Sequence, residues 1–182
     1  GAGAKNAWGY DEVMLGVDDL VTRDYVDSTR MGVTGGSCGG YLTNWIVGHT
    51  NRFKAAVTQR SISDHVSNFG TADIGPESGE VKTGGLRPWT DINTYWQMSP
   101  LSAAEHIHTP LLILHADEDH RCPFGQAEEL FAALRWMGRE VEMVVFQGES
   151  HGLTRGGRPG NRIEHVRRSL DWFEKYLCRR PA

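Results

Sequence analysis

Ser37 lies in the run Gly35-Gly36-Ser37-Cys38-Gly39, which has the form Gly-x-Ser-x-Gly. An apolar stretch of residues 31–34 precedes this run, and a helix-like stretch of residues 41–47 follows it. A strand, a tight turn and a helix in this order form a nucleophile elbow, which exposes a serine on a strained turn. A side chain at Gly35 or Gly39 is expected to collide with the neighbouring strand or helix. The sequence therefore predicts a serine hydrolase with Ser37 as nucleophile, the alternative being an ordinary turn serine.

A serine hydroxyl needs a base to remove its proton, and the base needs a carboxylate to hold it in the correct tautomer. After a nucleophile elbow the chain order is serine, acid, histidine, each in a loop after a strand. The strand-like stretch of residues 141–146 is followed by Glu149-Ser150-His151-Gly152, so His151 is the predicted base. The apolar stretch of residues 111–114 ends near three candidate acids. These are Asp117, Glu118 and Asp119.

The elements that must position these side chains alternate between strands and helices. Helical stripes of apolar residues occur at Val13, Met14, Val17, Leu20 and Val21; at Leu130, Phe131, Leu134 and Met137; and at Ile163, Val166, Leu170, Phe173 and Leu177. This alternation predicts an α/β fold, a mainly parallel sheet with helices on both faces. The candidate loops then meet at the carboxyl ends of the strands, where such sheets bind ligands. Residues 60–99 are expected to form loops and short helices over the sheet edge near this site.

Composition indicates one folded domain over residues 1–182, since 39% of the residues are hydrophobic and 23% are charged. No stretch resembles a membrane span or a signal peptide, so no membrane partner is expected. The net charge of −4 argues against nucleic acid as a partner. The three cysteines, Cys38, Cys122 and Cys178, are too scattered for a disulfide framework, which favours a cytoplasmic setting.

Four histidines near the carboxylates raise the question of a metal site. They are His106, His108, His115 and His120. Their spacing forms no recognised ligand set, so we expect neither a metal nor a cofactor.

Several runs beyond the elbow resemble one known family. They are Gly39-Gly40-Tyr41, Asn44-Trp45, Phe53-Lys54-Ala55-Ala56-Val57, Ser99-Pro100-Leu101, Thr109-Pro110-Leu111-Leu112, Asp119-His120-Arg121-Cys122-Pro123, Gln126-Ala127-Glu128 and Ser150-His151-Gly152. Together they resemble the catalytic domain of the prolyl oligopeptidase family, especially its acylaminoacyl peptidase branch, nearly from end to end. The resemblance implies an α/β-hydrolase fold with Ser37 as nucleophile, Asp119 as acid and His151 as base. It selects Asp119 because the family's acid stands two residues before an arginine, here Arg121.

The resemblance covers only the C-terminal part of that catalytic domain. Family members normally carry a β-propeller, further strands and a His-Gly-Gly-Pro-like segment ahead of this part, so the fold is expected to lack its N-terminal strands. An oxyanion hole needs two donors: the amide after the nucleophile, here that of Cys38, and one from an upstream loop. Because that second donor is missing, weak catalysis is expected unless another chain supplies it.

The leading hypothesis is a serine peptidase that cleaves short or N-acylated peptides, the substrates that the resemblance implies. Trp45 and Phe69 are candidates for an apolar substrate pocket, although packing is the alternative for both. Arg60 is a candidate for binding a substrate carboxylate or carbonyl, or for pairing with an acid. Two further hypotheses stay open: a carboxylesterase with the same triad, and a fragment that needs a complementary N-terminal chain or forms a homo-oligomer through its sheet edge.

Overall fold

The computed structural model of the protein describes residues 9–178. The strands in this range are β1 (Gly32–Gly36), β2 (Ala55–Gln59), β3 (Leu111–Ala116) and β4 (Val141–Phe146). The α-helices are α1 (Tyr10–Leu20), α2 (Cys38–His49), α3 (His65–Thr71), α4 (Gly75–Thr83), α5 (Ile92–Gln97), α6 (Gly125–Trp136), α7 (Leu153–Gly156) and α8 (Pro159–Leu177). A 3-10 helix covers Pro100–His106.

The strands form a parallel sheet in the order β1-β2-β3-β4. Its register places Thr34 opposite Val57, Val57 opposite Leu112 and Leu112 opposite Glu142. Since parallel neighbours need a crossover, each connection carries at least one helix. All four carboxyl ends therefore lie along one edge of the sheet.

Helices cover both faces of the sheet, which confirms the predicted layers. On one face, α2, α6 and the 3-10 helix bury a core that includes Val47, Ala56, Ile113, Leu130 and Leu134. On the other face, α7 and α8 bury Val57, Leu112, Phe146, Leu153 and Trp172. β3 is buried along its whole length because it has a strand on each side and helices above and below.

The segment between β2 and β3 forms α3, α4 and α5, the short helices that were predicted for it. Asp64 begins α3, since its side chain accepts hydrogen bonds from the amides of Val66 and Ser67. The Asp73 amide donates to the carbonyl of His120, which attaches this helical segment to the loop after β3.

The apolar stripe that predicted α8 coincides with its packed face only at its C-terminal end, where Phe173 and Leu177 contact the core. His165 and Trp172 face the sheet and are buried, whereas Ile163, Val166 and Leu170 are exposed. α1 likewise buries none of its residues. The sequence pattern therefore predicted both helices, but it did not fully predict which side of each helix would pack.

Candidate active site

Ser37 stands between the last residue of β1 and the first residue of α2, as the elbow pattern predicts. Its backbone has φ 61° and ψ −120°, a region that non-glycine residues rarely adopt. The Ser37 amide donates to the Gln59 carbonyl at 3.0 Å, and its carbonyl accepts from the Tyr41 amide at 2.9 Å. β2 and α2 together thus hold the strained turn.

Close packing of the elbow requires glycine at two positions. A Cβ on Gly35 would lie 2.3 Å from the Gly39 carbonyl oxygen, which confirms the collision predicted for Gly35. A Cβ on Gly40 would lie 2.6 Å from the Gln59 carbonyl oxygen. The collision predicted for Gly39 is wrong, because a Cβ there has no neighbour within 4 Å among the described residues. The rotation of α2 turns Gly40, not Gly39, toward β2.

Ser37, His151 and Asp119 form a continuous hydrogen-bonded row. The Ser37 Oγ to His151 Nε2 distance is 3.0 Å, and the His151 Nδ1 to Asp119 Oδ2 distance is 2.8 Å. These residues follow β1, β4 and β3 respectively, so the shared sheet edge brings them together. The Asp119 side chain is fully buried, whereas the His151 side chain keeps 17% of its surface exposed. The row therefore runs from the buried side chain of Asp119 to the hydroxyl of Ser37.

Backbone amides fix the second oxygen of Asp119. Its Oδ1 accepts from the Arg121 amide at 3.0 Å and from the Cys122 amide at 2.9 Å. Three hydrogen bonds in all hold the carboxylate. The acid loop thus presents Oδ2 to His151 in a single orientation.

The other two candidate acids lie elsewhere. Asp117 is exposed and accepts a hydrogen bond from the Gly148 amide at 2.7 Å, which links the loops after β3 and β4. Glu118 is exposed, and its amide donates to the Glu149 carbonyl at 3.1 Å. Neither carboxylate is hydrogen-bonded to His151.

His115 supports the acid loop, a role that the sequence did not indicate. Its Nε2 lies 2.8 Å from the Cys122 carbonyl oxygen and 3.7 Å from Asp119 Oδ2. Burial lowers the pKa of His115, so the ring is neutral and donates its Nε2 proton to Cys122. Sequence reasoning missed this role because a histidine inside a strand is normally predicted to pack in the core.

Cys38 begins α2, and its side chain is exposed. The first amides of an α-helix have no partner within the helix and lie at the positive end of its dipole. The Cys38 amide is therefore suited to bind an oxyanion that forms beside Ser37, and its role stays a prediction.

Arg60 lies between the elbow and the loop that carries His151. Its backbone has φ 40°, and a Cβ on Gly36 would lie 2.9 Å from its Nη2. Its Nη1 lies 3.3 Å from Thr154 Oγ1, and Arg60 forms no ion pair with an acid in residues 9–178. Burial is the larger of two causes that lower the pKa of Arg60, and the nearby charge of Arg155 is the second. The structure thus shows contacts to α7 and β1; binding of a substrate by Arg60 stays a prediction.

The two aromatic pocket candidates both lie in packed surroundings. Trp45 is 3% exposed and stacks on His49 with 4.2 Å between ring centroids. Phe69 contacts Trp89 and Tyr95 edge to face, at 5.5 and 5.9 Å. Their contact with a substrate stays a prediction.

Three residues near the elbow were not singled out from the sequence. Tyr41 follows Ser37 by one helical turn, and its hydroxyl donates to the Met98 carbonyl at 3.0 Å. The Nζ atom of Lys82 lies 5.7 Å from the centre of the Tyr41 ring, and His65 packs against that ring at 5.1 Å. Residues 60–99 showed no periodicity that could have placed Lys82 or His65 there.

Residues 9–178 contain no cluster of three or more His, Cys, Asp or Glu side chains arranged to hold a metal ion. None of the helices in the described part of the chain is long and apolar enough to cross a membrane.

Comparison with known proteins identifies the family. Residues 1–180 match the prolyl oligopeptidase family. The chain is 49% identical to the uncharacterized peptidase YuxL of Bacillus subtilis strain 168, over 92% of this chain and 26% of that protein. Among solved structures, the acylaminoacyl peptidase of Pyrococcus horikoshii superposes with a TM-score of 0.89 and 29% identity, covering 94% of this chain and 28% of that one. An acylaminoacyl peptidase in complex with Z-Gly-Gly-Phe-chloromethyl ketone gives the same TM-score and identity, over 95% and 28% of the two chains.

This chain thus spans about a quarter of the length of these relatives. The likeness confirms the expected α/β-hydrolase fold and its C-terminal part. The protein belongs to the prolyl oligopeptidase family.

Proposed function

We propose that the chain carries the catalytic triad of a serine peptidase that cleaves short or N-acylated peptides through an acyl-enzyme. One observation carries this proposal: the hydrogen-bonded row with distances of 3.0 Å from Ser37 to His151 and 2.8 Å from His151 to Asp119. Both lie within the reach that a nucleophile, its base and the orienting acid require.

The row supports a two-step reaction. His151 Nε2 takes the Ser37 proton while Oγ attacks the scissile carbonyl, and Asp119 stabilises the imidazolium that results. The Cys38 amide donates to the oxyanion of the tetrahedral intermediate. His151 then protonates the leaving amine, which leaves an acyl group on Ser37. A water molecule, activated by His151 in the same way, hydrolyses this ester and restores the serine.

The substrate class rests on the relatives. One of them is an acylaminoacyl peptidase solved with a peptide chloromethyl ketone, which supports a peptide substrate for this chain too. The three cysteines are free, which agrees with the proposed cytoplasmic setting.

A second proposal concerns a partner for the open edge of β1. Within the described residues β1 pairs only with β2, which leaves its outer side open. We propose that a complementary chain or segment pairs there and supplies the second oxyanion donor. Loss of one donor typically costs about 10²–10³ in turnover, so the isolated chain is expected to be slow.

Intact-mass detection of a fluorophosphonate adduct tests the triad. We expect one adduct per wild-type chain and none on Ser37→Ala, which keeps the fold because only the hydroxyl is lost. A folded wild-type chain that stays unlabelled would contradict an assembled triad. Relative rates on anilide and ester substrates then distinguish a peptidase from a carboxylesterase.

A further inference from the structure

The loop after β4 holds a buried carboxylate, that of Glu149, two residues before His151. The side chain of Glu149 is 6% exposed, whereas its neighbours Gly148 and Ser150 are exposed. A glutamate is seldom buried unless donors from the protein replace the water that its oxygens lose. The contacts of Glu149 therefore indicate what the buried side chain does in this loop.

The donors to the Glu149 carboxylate come from the start of α8. Its Oε1 accepts from the Arg158 amide at 2.9 Å and from Asn161 Nδ2 at 2.7 Å. Arg158 is the residue just before the first turn of α8, so the carboxylate lies at the positive end of the helix dipole. The hydrogen bond from Asn161, and then that from the Arg158 amide, lowers the pKa of Glu149. The carboxylate is therefore charged at neutral pH.

A glycine makes room for the other oxygen of this carboxylate. Gly157 lies between α7 and α8, and a Cβ there would stand 2.7 Å from Glu149 Oε2. The same Cβ would stand 2.6 Å from the Leu153 carbonyl oxygen. The backbone between α7 and α8 thus approaches the carboxylate more closely than a larger residue at this position would allow.

The backbone of Glu149 contacts the acid loop. Its carbonyl accepts from the Glu118 amide at 3.1 Å, and Glu118 directly precedes Asp119. Glu149 therefore joins the acid loop, through its carbonyl, to α8, through its carboxylate. α8 is in turn packed on the sheet through Trp172. The backbone of His151, two residues along the chain, lies within about 7 Å of this junction.

We propose that Glu149 is a positioning residue that acts through His151. Its carboxylate ties the base loop to α8 and thereby keeps His151 Nε2 within hydrogen-bond reach of Ser37. This inference rests on the proposed function, since it concerns the base of the same triad. A displacement of about 1 Å at a reacting group can cost about 10² in rate. Stabilisation of the fold alone is the role that Glu149 would have otherwise.

The test compares Glu149→Ala with Glu149→Gln. Alanine removes the acceptor of both hydrogen bonds, whereas glutamine keeps an oxygen that can accept from Arg158 and Asn161. Leu134→Ala is the control for loss of stability alone, because Leu134 is buried on the face of the sheet opposite α8. Circular dichroism first gives the folded fraction of each variant.

Time courses of fluorophosphonate labelling at several probe concentrations then give kinact and KI. We expect kinact of folded Glu149→Ala to fall about 10²-fold with KI unchanged, because the base is displaced while the probe does not contact Glu149. Glu149→Gln should retain most of the wild-type kinact, and folded Leu134→Ala should retain all of it. A wild-type kinact in folded Glu149→Ala, or an equal loss in Leu134→Ala, would overturn the inference while the proposed function stands.

Asn161→Ala decides the question if Glu149→Ala does not fold. This substitution removes one of the two donors to Glu149 and places a strong helix former in α8, so the fold is kept. Its kinact should fall about tenfold, the equivalent of one hydrogen bond to a charged group, with KI unchanged. A wild-type kinact in Asn161→Ala would then overturn the inference.

A wild-type chain that forms no adduct would contradict the proposed function, and proton NMR then reports the position of His151. The proton shared by His151 Nδ1 and Asp119 gives a low-field signal while their hydrogen bond is held. We expect this signal in the wild-type chain, Glu149→Gln and Leu134→Ala, and its loss in Glu149→Ala. Absence of the signal from the wild-type chain, or an equal signal in Glu149→Ala, would overturn the inference.

Discussion

Two regions of the molecule, one around β3 and one around β1, differ in how completely their residues are packed. All six residues of β3 are buried, and the buried Asp119 side chain in the loop after it is held by two amides of that loop and by His151. β1 alternates between exposed and half-buried residues, and α1 buries none. We call the region of β3, α6 and the loops after β3 and β4 the closed side, and the region of β1, α1 and the exposed face of α8 the open side.

The candidate triad joins these two sides. The acid and the base belong to the closed side, whereas the nucleophile belongs to the open side and is held there by the Gln59 carbonyl and by α2. Alignment of Ser37 with His151 therefore depends on the pairing of β1 with β2, not on what covers the outer side of β1. A hydrogen-bonded row of Ser37, His151 and Asp119 and an incompletely covered fold are thus compatible within one chain.

The largest effect expected on the closed side follows from Asp119→Asn. The amides of Arg121 and Cys122 would hold the asparagine oxygen, so its NH₂ group would face His151. His151 would then accept at Nδ1 and carry its proton on Nε2, where it can no longer act as a base for Ser37. The rate of fluorophosphonate labelling should fall about 10⁴-fold.

Asp117→Asn is the control for this substitution. Asp117 is an exposed aspartate two residues earlier and holds only the Gly148 amide. Labelling at the wild-type rate is expected. A comparable loss of rate in both variants would mean that loop integrity, not the orientation of His151, determines reactivity.

The next largest effect compares the two sides directly through one leucine on each. Leu134 of α6 is fully buried on the closed side, and Leu170 of α8 is 56% exposed. Leu134→Ala should lower the free energy of unfolding by about 2–5 kcal/mol. Leu170→Ala should change it by less than about 0.5 kcal/mol. Urea unfolding followed by circular dichroism gives both values.

A large loss of stability in Leu170→Ala would show that the open side is covered in solution, for example by a second copy. Light scattering on the same samples distinguishes a dimer from a monomer. Equal and large losses in both variants would remove the distinction between the two sides.

The sequence predicted the layers of the fold because strand and helix patterns alternate along the chain. It also predicted that the three triad candidates would meet, since each follows a strand whose carboxyl end lies at the same edge. The packed face of α8 could be read from the sequence only at Phe173 and Leu177. Its apolar stripe includes Ile163 and Leu170, which are exposed, while the buried face carries His165 and Trp172.

Tertiary contacts explain the other differences between the sequence-based predictions and the structure. Whether position 39 or position 40 requires glycine depends on how α2 is rotated against β2. Two adjacent glycines in the sequence do not reveal that rotation. The place of Lys82 beside Tyr41 depends on how the helices between β2 and β3 are arranged over α2, since no pattern in residues 60–99 indicates it. The sequence thus predicted which side chains would meet at the sheet edge better than it predicted the side chains around them.

A smaller effect tests the point where the two sides join, the elbow itself. Gly35→Ala would place a methyl group 2.3 Å from the Gly39 carbonyl oxygen, a backbone atom that cannot turn aside. We expect a loss of about 1–3 kcal/mol in the free energy of unfolding, together with slower labelling as the turn shifts. Urea unfolding and adduct formation measure the two effects.

Gly39→Ala is the matched variant, because its Cβ has open space in the described part of the chain. Alanine favours a helix over glycine by about 0.5 kcal/mol or more, so unchanged or slightly increased stability is expected. Marked destabilisation by this variant would mean that another element covers the elbow in solution, and that the open side is not open there.

The smallest effect concerns pH and the packed region around His65. The pKa of His65 is about 3 in the folded chain, against about 6.5 when unfolded. Between these values the unfolded chain binds one more proton, so stability falls as the pH decreases. The change is at most about 1.4 kcal/mol per pH unit, or about 2 kcal/mol from pH 7 to pH 5.

His65→Gln removes this contribution, while other buried histidines such as His115 contribute equally to both proteins. The difference in the free energy of unfolding between wild type and variant should therefore shift in favour of the variant as the pH falls to 5. Urea unfolding at pH 5, 6 and 7 measures that shift. Parallel pH profiles would show that water reaches His65, and hence that the region around Lys82 belongs to the open side.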